Sequence, residues 1–334
     1  MGSLPPPSAS SAAPLRVIFM GTPALAAHIL DRLAAAAGAD YAIVAVITRP
    51  DQPRKRGLKL EPSEVGAAAA RHGLATLKPT KIRTAEFLAE LKAFAPDVLA
   101  IAAYGRILPN SVLDAPRRIP INVHASLLPR YRGAAPIEGA LLAGDAVGGV
   151  TIMRVIEKMD AGPILLQRSI AIAPDETQGS LKRRLAELGA GTLIETLALM
   201  RRGALAETPQ DEAAATYTSP IAKEQAIIDW RGDAIRIERA IRAYDPWPVA
   251  RTTFDGAELL IWRASIADGA DQPSDPNANE APPGTLVSLK PAPVVQCGVG
   301  RLALAEVQAP GRRRMSAIDF MRGRRTAAGV RLGG

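Results

Sequence analysis

The sequence is poor in the residues that build disulfides and zinc sites. It contains one cysteine, Cys297, and three histidines. A single cysteine excludes a disulfide within the chain and favours a reducing compartment. The histidines are His28, His72 and His124, far from one another and from Cys297 in the sequence. This scatter argues against a structural zinc site, so we expect a fold that needs neither metal nor disulfide.

Long apolar runs and two common nucleotide-binding motifs are also missing. No stretch of about 18 apolar residues is free of charges and turn residues, so the sequence predicts no membrane span. Residues 1–14 lack the basic and apolar regions of a secretory signal, and we expect a disordered tail and a cytoplasmic protein. Neither G-x-G-x-x-G nor G-x-x-x-x-G-K-[ST] occurs, which disfavours a dehydrogenase and a P-loop nucleoside triphosphatase.

The composition is that of a globular protein with an uneven charge distribution. The 334 residues are 48% hydrophobic and 22% charged, and this length favours two domains. The net charge of +8 resides in residues 1–206, since residues 207–334 carry equal numbers of acidic and basic residues. Basic residues cluster at 49–59, and arginines cluster at 301–334. Such clusters favour a phosphate-rich partner, although a solvated basic surface would have the same composition.

The first half alternates strands with helices. Residues 15–20 are apolar and lead through Gly21-Thr22-Pro23 into an amphipathic stretch that ends near residue 37, a pattern typical of strand, tight turn and helix. The basic run 49–61 is rich in proline and glycine and predicts a loop. The alternation predicts an open, doubly wound, mostly parallel sheet of the Rossmann-like kind. The other predicted elements are strands at 41–48, 74–77, 97–103, 119–124, 149–156 and 164–172 and helices at 62–72, 84–94 and 177–202.

The second half is predicted to consist mainly of short strands. One amphipathic helix is predicted at 233–243, followed by short strands separated by turn-forming loops, including a low-complexity loop at 268–283. Many short strands favour a small antiparallel β-barrel. We therefore predict a tail at 1–14, a first domain at 15–205, a linker at 206–220 and a barrel domain at 221–334. The predicted strands lie near 250–254, 257–266, 284–290, 293–297 and 300–308.

The segment INVHASLLPRYRG at 121–133 carries the chemistry. Asn122 and His124 are two residues apart on a predicted strand, so their side chains point to the same face at its carboxyl end. An imidazole exchanges protons near neutral pH, and an amide can donate a hydrogen bond to a developing oxyanion. The pair predicts a catalytic site, although two polar residues at a strand end could equally serve the loop backbone.

Several motifs along nearly the whole chain resemble the methionyl-tRNA formyltransferases, and more widely the enzymes that use 10-formyltetrahydrofolate. The N-x-H and S-L-L-P core is specific for the folate enzymes, and the tryptophan-containing and C-terminal segments favour the branch that acts on tRNA. The matching segments are IFMGTP at 18–23, RPDQPRKRGLKL at 49–60, AAYGRILP at 102–109, INVHASLLPRYRGAAPIEGAL at 121–141, GVTIMRVIEKMDAGPILLQ at 149–167, IDW at 228–230, IRAYDPWPVA at 241–250 and MSAIDFMRGRR at 315–325.

The resemblance implies a site, a formyl donor and an acceptor. It implies the formyltransferase fold with a C-terminal barrel like the oligonucleotide-binding fold (OB-like), acting on 10-formyltetrahydrofolate and methionyl initiator tRNA without a metal. The catalytic trio would be Asn122, His124 and Asp160, with Asp160 in a Gly/Pro-rich turn between two predicted strands. The implied folate contacts are Ser126, Leu127, Leu128, Pro129, Arg106, Ile107 and Leu108.

The resemblance also implies that the basic loop 49–61 meets the acceptor end of the tRNA. Arg56 matches the arginine of the family's R-G-x-K-L ending, and Lys59 lies close to it. Arg54 and Lys55 replace small residues of the family pattern, so the resemblance does not extend to the fine geometry of this loop. The sequence gives no sign of an oligomer, and we expect a monomer.

Two alternatives remain at this point. The first keeps the folate chemistry but changes the acceptor to an amino sugar, a glycinamide nucleotide or water. The second is a nucleic-acid-binding protein whose α/β domain has lost catalysis. Residues 207–334 argue against a glycinamide enzyme, and the basic segments argue against a sugar enzyme. The intact Asn122, His124 and Asp160 argue against a protein without catalysis.

Overall fold

A computed structural model describes residues 13–54, 59–267 and 281–333, although the side chains of Arg54 and Lys59 are not described. The chain divides into two compact units. The first comprises the described residues of Met1–Pro136 with Val147–Ala171 and Lys182–Thr218. The second comprises Ile137–Ala146, Ile172–Leu181 and the described residues of Ser219–Gly334. No described helix is long and apolar enough to cross a membrane.

The described helices and strands follow the predicted alternation. The strands of the first unit are β1 (Leu15–Gly21), β2 (Tyr41–Ile47), β3 (Gln52–Arg54), β4 (Lys59–Glu61), β5 (Thr76–Leu77), β6 (Val98–Ala102), β7 (Ile119–His124), β8 (Arg132–Gly133), β9 (Val147–Arg154), β10 (Ile164–Ala171) and β11 (Tyr217–Thr218). The helices of the chain are α1 (Ala24–Ala35), α2 (Glu64–Arg71), α3 (Ala85–Ala93), α4 (Asn110–Leu113), α5 (Pro136–Ala143), α6 (Gln178–Arg201), α7 (Ala234–Ala243) and α8 (Ala317–Gly323).

A seven-stranded sheet organises the first unit, in the order β10-β9-β7-β6-β1-β2-β5. Strands β5, β2, β1, β6 and β7 pair in parallel, whereas β9 is antiparallel to both β7 and β10. The chain leaves β1 towards β2 and returns on its other side at β6. The carboxyl ends of β1 and β6 therefore form a topological switch point, where open α/β sheets bind ligands. The prediction of a mostly parallel sheet is confirmed.

Local sequence accounts for the first-unit elements. All five residues of β6 are buried, as expected for a parallel strand covered on both faces. Ser63 begins α2 by accepting a hydrogen bond from the Gly66 N–H, and Thr84 does the same for α3 through Phe87. The predicted elements of this half lie within two residues of the observed ones. The sequence analysis missed α4, α5, β8 and β11, which have at most eight residues each and show too few periods of a hydrophobic pattern to be recognised.

The second unit contains an antiparallel sheet of strands β12 (Arg251–Phe254), β13 (Ala257–Ile266), β14 (Leu286–Ser288), β15 (Val294–Gln296), β16 (Arg301–Gln308) and β17 (Met315–Ser316). The order is β12-β13-β16-β15-β14, with β17 on β16. Helices α7 and α8 contribute to its core, which contains Trp230, Ile241 and Phe320. Among the described residues no strand pair joins β12 to β14, so a closed barrel is not found there. The five predicted strands are confirmed as an antiparallel sheet.

The basic run at 49–61 differs from its prediction. It contains a short antiparallel hairpin in which Gln52 pairs with Glu61 and Pro53 with Leu60. The prediction of an irregular loop was therefore wrong at its two ends. Proline at an edge strand is compatible with pairing, because an edge strand leaves half of its backbone groups unpaired. The predicted tail 1–14 and loop 268–283 lie mostly outside the described residues.

Candidate active site

Strand β7 brings Asn122 and His124 to the carboxyl edge of the sheet. Its alternating burial places Ile121 and Val123 in the core, and His124 pairs in register with Thr151 of β9. Within the described part of the chain, the half-buried Asn122 carboxamide makes no hydrogen bond. Its N–H groups are therefore available to an incoming acceptor, which is the arrangement that stabilisation of an oxyanion requires.

The imidazole of His124 is held by a backbone carbonyl. The ring is 6% exposed, and its Nε2 lies 2.9 Å from the Tyr131 carbonyl oxygen. A carbonyl can only accept, so Nε2 carries a proton and donates it to this hydrogen bond. In the neutral ring Nδ1 is then the unprotonated nitrogen. Nδ1 is therefore the atom of His124 that can take up a proton during catalysis.

Asp160 faces that nitrogen. Its Oδ2 lies 3.7 Å from His124 Nδ1, within reach of an ion pair but too long for a hydrogen bond. The same oxygen accepts a hydrogen bond of 2.8 Å from the Gly133 N–H. Asp160 is in the loop between β9 and β10 with a φ of 49°, a left-handed conformation that few non-glycine residues adopt. The predicted turn is confirmed, and it brings Asp160 to His124.

A close backbone approach shapes this loop. A Cβ at Gly162 would lie 1.9 Å from the Arg154 carbonyl oxygen at the end of β9. Only glycine allows the two backbone segments to approach so closely. The result is a narrow loop that fixes the position of Asp160, which lies two residues before Gly162.

The segment 126–129 follows β7 and is fixed from two neighbouring strands. The buried Thr151 hydroxyl donates to the Ser126 carbonyl at 2.7 Å and accepts from the Leu128 N–H at 3.0 Å. From β10, the Gln167 amide donates to the Leu128 carbonyl at 2.8 Å. Ser126 and Leu128 are buried, and Ser126 donates to the Arg130 carbonyl. This turn is rigid, and Leu127 and Pro129 are its more exposed members.

The segment 106–108 follows β6 at the switch point of the sheet. Arg106 donates to the carbonyls of Pro79 and Thr80, and Leu108 packs against the core. Ile107 lies between them with 88% of its surface exposed. The loop thus anchors its flanking residues and leaves an apolar side chain at the edge where such sheets bind ligands.

Thr151, Gln167 and Gln210 belong to this site and were missed by the sequence analysis. Gln210 donates to the carbonyl oxygens of Asp160 at 2.8 Å and Gly162 at 2.7 Å. A threonine within an apolar strand was a usable sequence signal for Thr151, because a hydroxyl that becomes buried needs a partner. Thr151 is fully buried in the structure. Gln210 had no such signal, since it lies in a polar stretch.

The other two histidines belong to surface ion pairs. His28 pairs with Glu187 and His72 with Asp31 on the surface, so neither joins the catalytic group. Arg56 and the side chain of Lys59 lie outside the described residues. In the part of the chain that is described, no cluster of three or more His, Cys, Asp or Glu side chains could hold a metal ion.

Residues 15–197 match the formyl transferase family model, and residues 220–325 match the model of the formyl transferase C-terminal domain. A methionyl-tRNA formyltransferase from Roseiflexus sp. (strain RS-1) is 46% identical over 96% of this chain and 96% of its own length. The methionyl-tRNA formyltransferase of Methylococcus capsulatus (strain ATCC 33009 / NCIMB 11132 / Bath) is 45% identical, covering 96% of this chain and all of its own.

Among solved structures, HypX from Aquifex aeolicus in complex with tetrahydrofolic acid superposes with a TM-score of 0.59 and 17% identity. The match covers 93% of this chain and 47% of the HypX chain, so this chain spans about half the length of HypX. At this identity the likeness shows a shared fold.

Proposed function

The chain belongs to the methionyl-tRNA formyltransferase family, and we propose that it transfers the formyl group of 10-formyltetrahydrofolate to the α-amino group of methionyl initiator tRNA. Relatives with this name are 46% and 45% identical over nearly the full chain. The observation that carries the proposal is the convergence of Asn122, His124 and Asp160 at the carboxyl edge of the sheet.

The proposed chemistry follows from the atoms of these three residues. Attack of the methionyl amine on the formyl carbon develops negative charge on the formyl oxygen, and the Asn122 amide donates a hydrogen bond to it. His124 Nδ1 takes up the proton that the amine loses, while Nε2 stays bonded to Tyr131. The carboxylate of Asp160, 3.7 Å away, stabilises the imidazolium that forms. Collapse of the intermediate expels tetrahydrofolate, and the His124 imidazolium returns its Nδ1 proton to the departing nitrogen, which restores the neutral ring.

For the donor, we propose that the folate contacts Ser126, Leu127, Leu128, Pro129, Arg106, Ile107 and Leu108. The rigid turn offers backbone polar groups, and Ile107 offers an exposed apolar surface. Sites for flat heterocycles combine these two features.

For the acceptor, we propose that Arg56 and Lys59 of the basic segment contact the tRNA. We also propose an OB-like second domain at 221–334, joined by a linker at 206–220 to a catalytic domain at 15–205. Phosphate contacts would make the affinity for tRNA fall steeply with salt. A monomer in the cytoplasm, where initiator tRNA is charged, completes the proposal.

Acceptor specificity tests this proposal against the alternatives. Consumption of 10-formyltetrahydrofolate is followed with methionyl initiator tRNA, with a nucleotide-linked amino sugar, and with no acceptor. We expect turnover that depends on the charged tRNA. Equal turnover without an acceptor would make the protein a hydrolase, and turnover with the amino sugar alone would make it a sugar formyltransferase. Folate binding without turnover in any reaction would favour the binding-protein alternative.

A further inference from the structure

Residues 207–218, which we name the strap, follow α6 and run along the loops of the candidate active site in the first unit. Thr208 exchanges two backbone hydrogen bonds with Ile164 at the start of β10. Ten residues later, Thr218 of β11 pairs with Gly133 of β8. Between these two anchors the strap reaches both loops that support the catalytic trio. This is more contact than a connection between domains requires.

At the Asp160 loop, both the nitrogen and the oxygen of the Gln210 side-chain amide form hydrogen bonds. Its nitrogen donates to the carbonyl oxygens of Asp160 and Gly162 at 2.8 and 2.7 Å. Its oxygen accepts from Arg132 Nε at 3.1 Å and Nη2 at 2.9 Å. One side chain therefore links the loop that carries Asp160 to β8, the strand whose Gly133 N–H binds the Asp160 carboxylate.

Arg132 makes this link rigid. Its side chain is fully buried and also contacts the Glu212 carboxylate and the Tyr217 hydroxyl, both in the strap. The hydrogen bond with Glu212 raises the pKa of Arg132. Hydrogen bonds from Arg132 and then Lys158 lower the pKa of Glu212 to about 2. A buried guanidinium without these partners would be costly, so its position is strongly determined.

At the His124 loop, the strap acts through Tyr131. The Thr216 hydroxyl accepts a hydrogen bond of 2.8 Å from the Tyr131 N–H, and the Thr216 carbonyl accepts one from the Arg132 N–H. Tyr131 has a φ of 61°, and its own carbonyl accepts the Nε2 proton of His124. The Thr216 carbonyl thus holds the peptide whose oxygen determines the tautomer and orientation of the imidazole, and the Thr216 hydroxyl holds the peptide before it.

We propose that two residues of the strap position the catalytic groups: Gln210 is the positioning residue for Asp160, and Thr216 is the positioning residue for the His124 ring. This inference rests on the proposed formyl transfer. Neither side chain contacts His124 Nδ1 or Asp160 Oδ2, so each acts through another residue. A misplacement of about 1 Å at a reacting group can lower the rate about 100-fold, which gives such positioning its effect.

The first test compares Gln210→Met with Glu212→Gln. Methionine has a similar size and no charge but cannot donate to the Asp160 and Gly162 carbonyls. Glu212→Gln weakens the other partner of Arg132 and leaves those carbonyl contacts intact. We expect Gln210→Met to lower kcat about 10- to 100-fold, with KM for folate and for tRNA changed less than about threefold. Glu212→Gln should keep kcat within about threefold of wild type.

Equal losses in the two variants would show that Gln210 acts only by supporting Arg132, and would overturn the proposal. A kcat for Gln210→Met near that of wild type would overturn it as well. If Gln210→Met does not fold, Thr216→Val and Thr216→Ser provide the test, because Thr216 is exposed and serine keeps the hydroxyl. The valine variant should lose kcat and the serine variant should recover it.

A second readout does not depend on turnover. The chain has three histidines, so the ring ¹⁵N signals of a histidine-labelled sample can be resolved by NMR, with His28 and His72 as internal references. We expect wild-type His124 to carry a proton on Nε2. The ring signals of His124 should change in Thr216→Val, whereas those of His28 and His72 should not. Unchanged His124 signals in that variant would contradict the role of Thr216. Failure of the wild type to formylate methionyl-tRNA would instead remove the proposed function, while the NMR result would still test the strap.

Discussion

Gly162→Ala is the substitution for which the structure gives the clearest magnitude. A Cβ at this position would lie 1.9 Å from the Arg154 carbonyl oxygen, whereas ordinary van der Waals contacts begin at 3.4 Å. The obstacle is backbone, so no side-chain rotation relieves it. One of the two segments must move by about 1.5 Å, and the loop with Asp160 is the freer of the two because Arg154 ends a strand inside the sheet.

The same displacement affects stability and activity differently. Overpacking of this kind costs about 1–3 kcal/mol, and a domain stable by about 5–15 kcal/mol remains folded. A shift of the Asp160 carboxylate by more than 1 Å should lower kcat by at least about 100-fold. We therefore expect a folded protein with near-normal folate affinity and very slow formyl transfer, as measured by steady-state kinetics beside a thermal melt.

Gly191→Ala is the matched control. Gly191 is exposed in α6, and nothing lies within 4 Å of a Cβ built there. Alanine in a helix should stabilise the protein by about 0.5–1 kcal/mol and leave kcat unchanged. Normal kcat in Gly162→Ala would refute the argument that this loop geometry positions Asp160.

Three further outcomes are expected. Asp160→Asn should keep the hydrogen bond from the Gly133 N–H but lower kcat by about 100-fold or more, because the amide cannot stabilise an imidazolium; normal kcat would remove Asp160 from the mechanism. Burial, and secondarily the charge of Asp233, raises the pKa of the Cys297 thiol to about 12, so a thiol reagent at pH 8 should label it only after unfolding. The pKa of Glu212 is lowered from 4.5 to about 2, so its stabilising effect is present above pH 4.5 and is lost as the pH falls to about 2. The difference in Tm between wild type and Glu212→Gln should therefore shrink over that range, and a constant difference would contradict the pairing with Arg132.

Local patterns in the sequence predicted the elements that carry the site. The period of two in β7 predicted that Asn122 and His124 share a face, and the apolar runs of the parallel strands predicted the sheet. These features depend on residues close together in the chain. The partnership of Asp160 with His124 came from the resemblance to a family, because no local pattern reports a contact between residues 36 positions apart.

The strap shows why the rest could not be predicted. Its polar and turn-forming residues are typical of a linker, and that interpretation considered only their composition. Gln210 and Thr216 derive their importance from contacts with Arg132 and Tyr131, 78 and 85 residues earlier. The buried Arg132 is equally hidden, since arginine is normally exposed and only its partners in the fold stabilise it there.

The measurement that tests the central claim most directly is the mass of the aminoacyl product. Methionyl initiator tRNA is incubated with the protein and 10-formyltetrahydrofolate, then digested to release the terminal aminoacyl nucleoside. Our account predicts that a formyl group appears on the methionine amine with wild-type protein and is nearly absent with Asp160→Asn. Unmodified methionine in the wild-type reaction, with the folate either intact or converted, would contradict it.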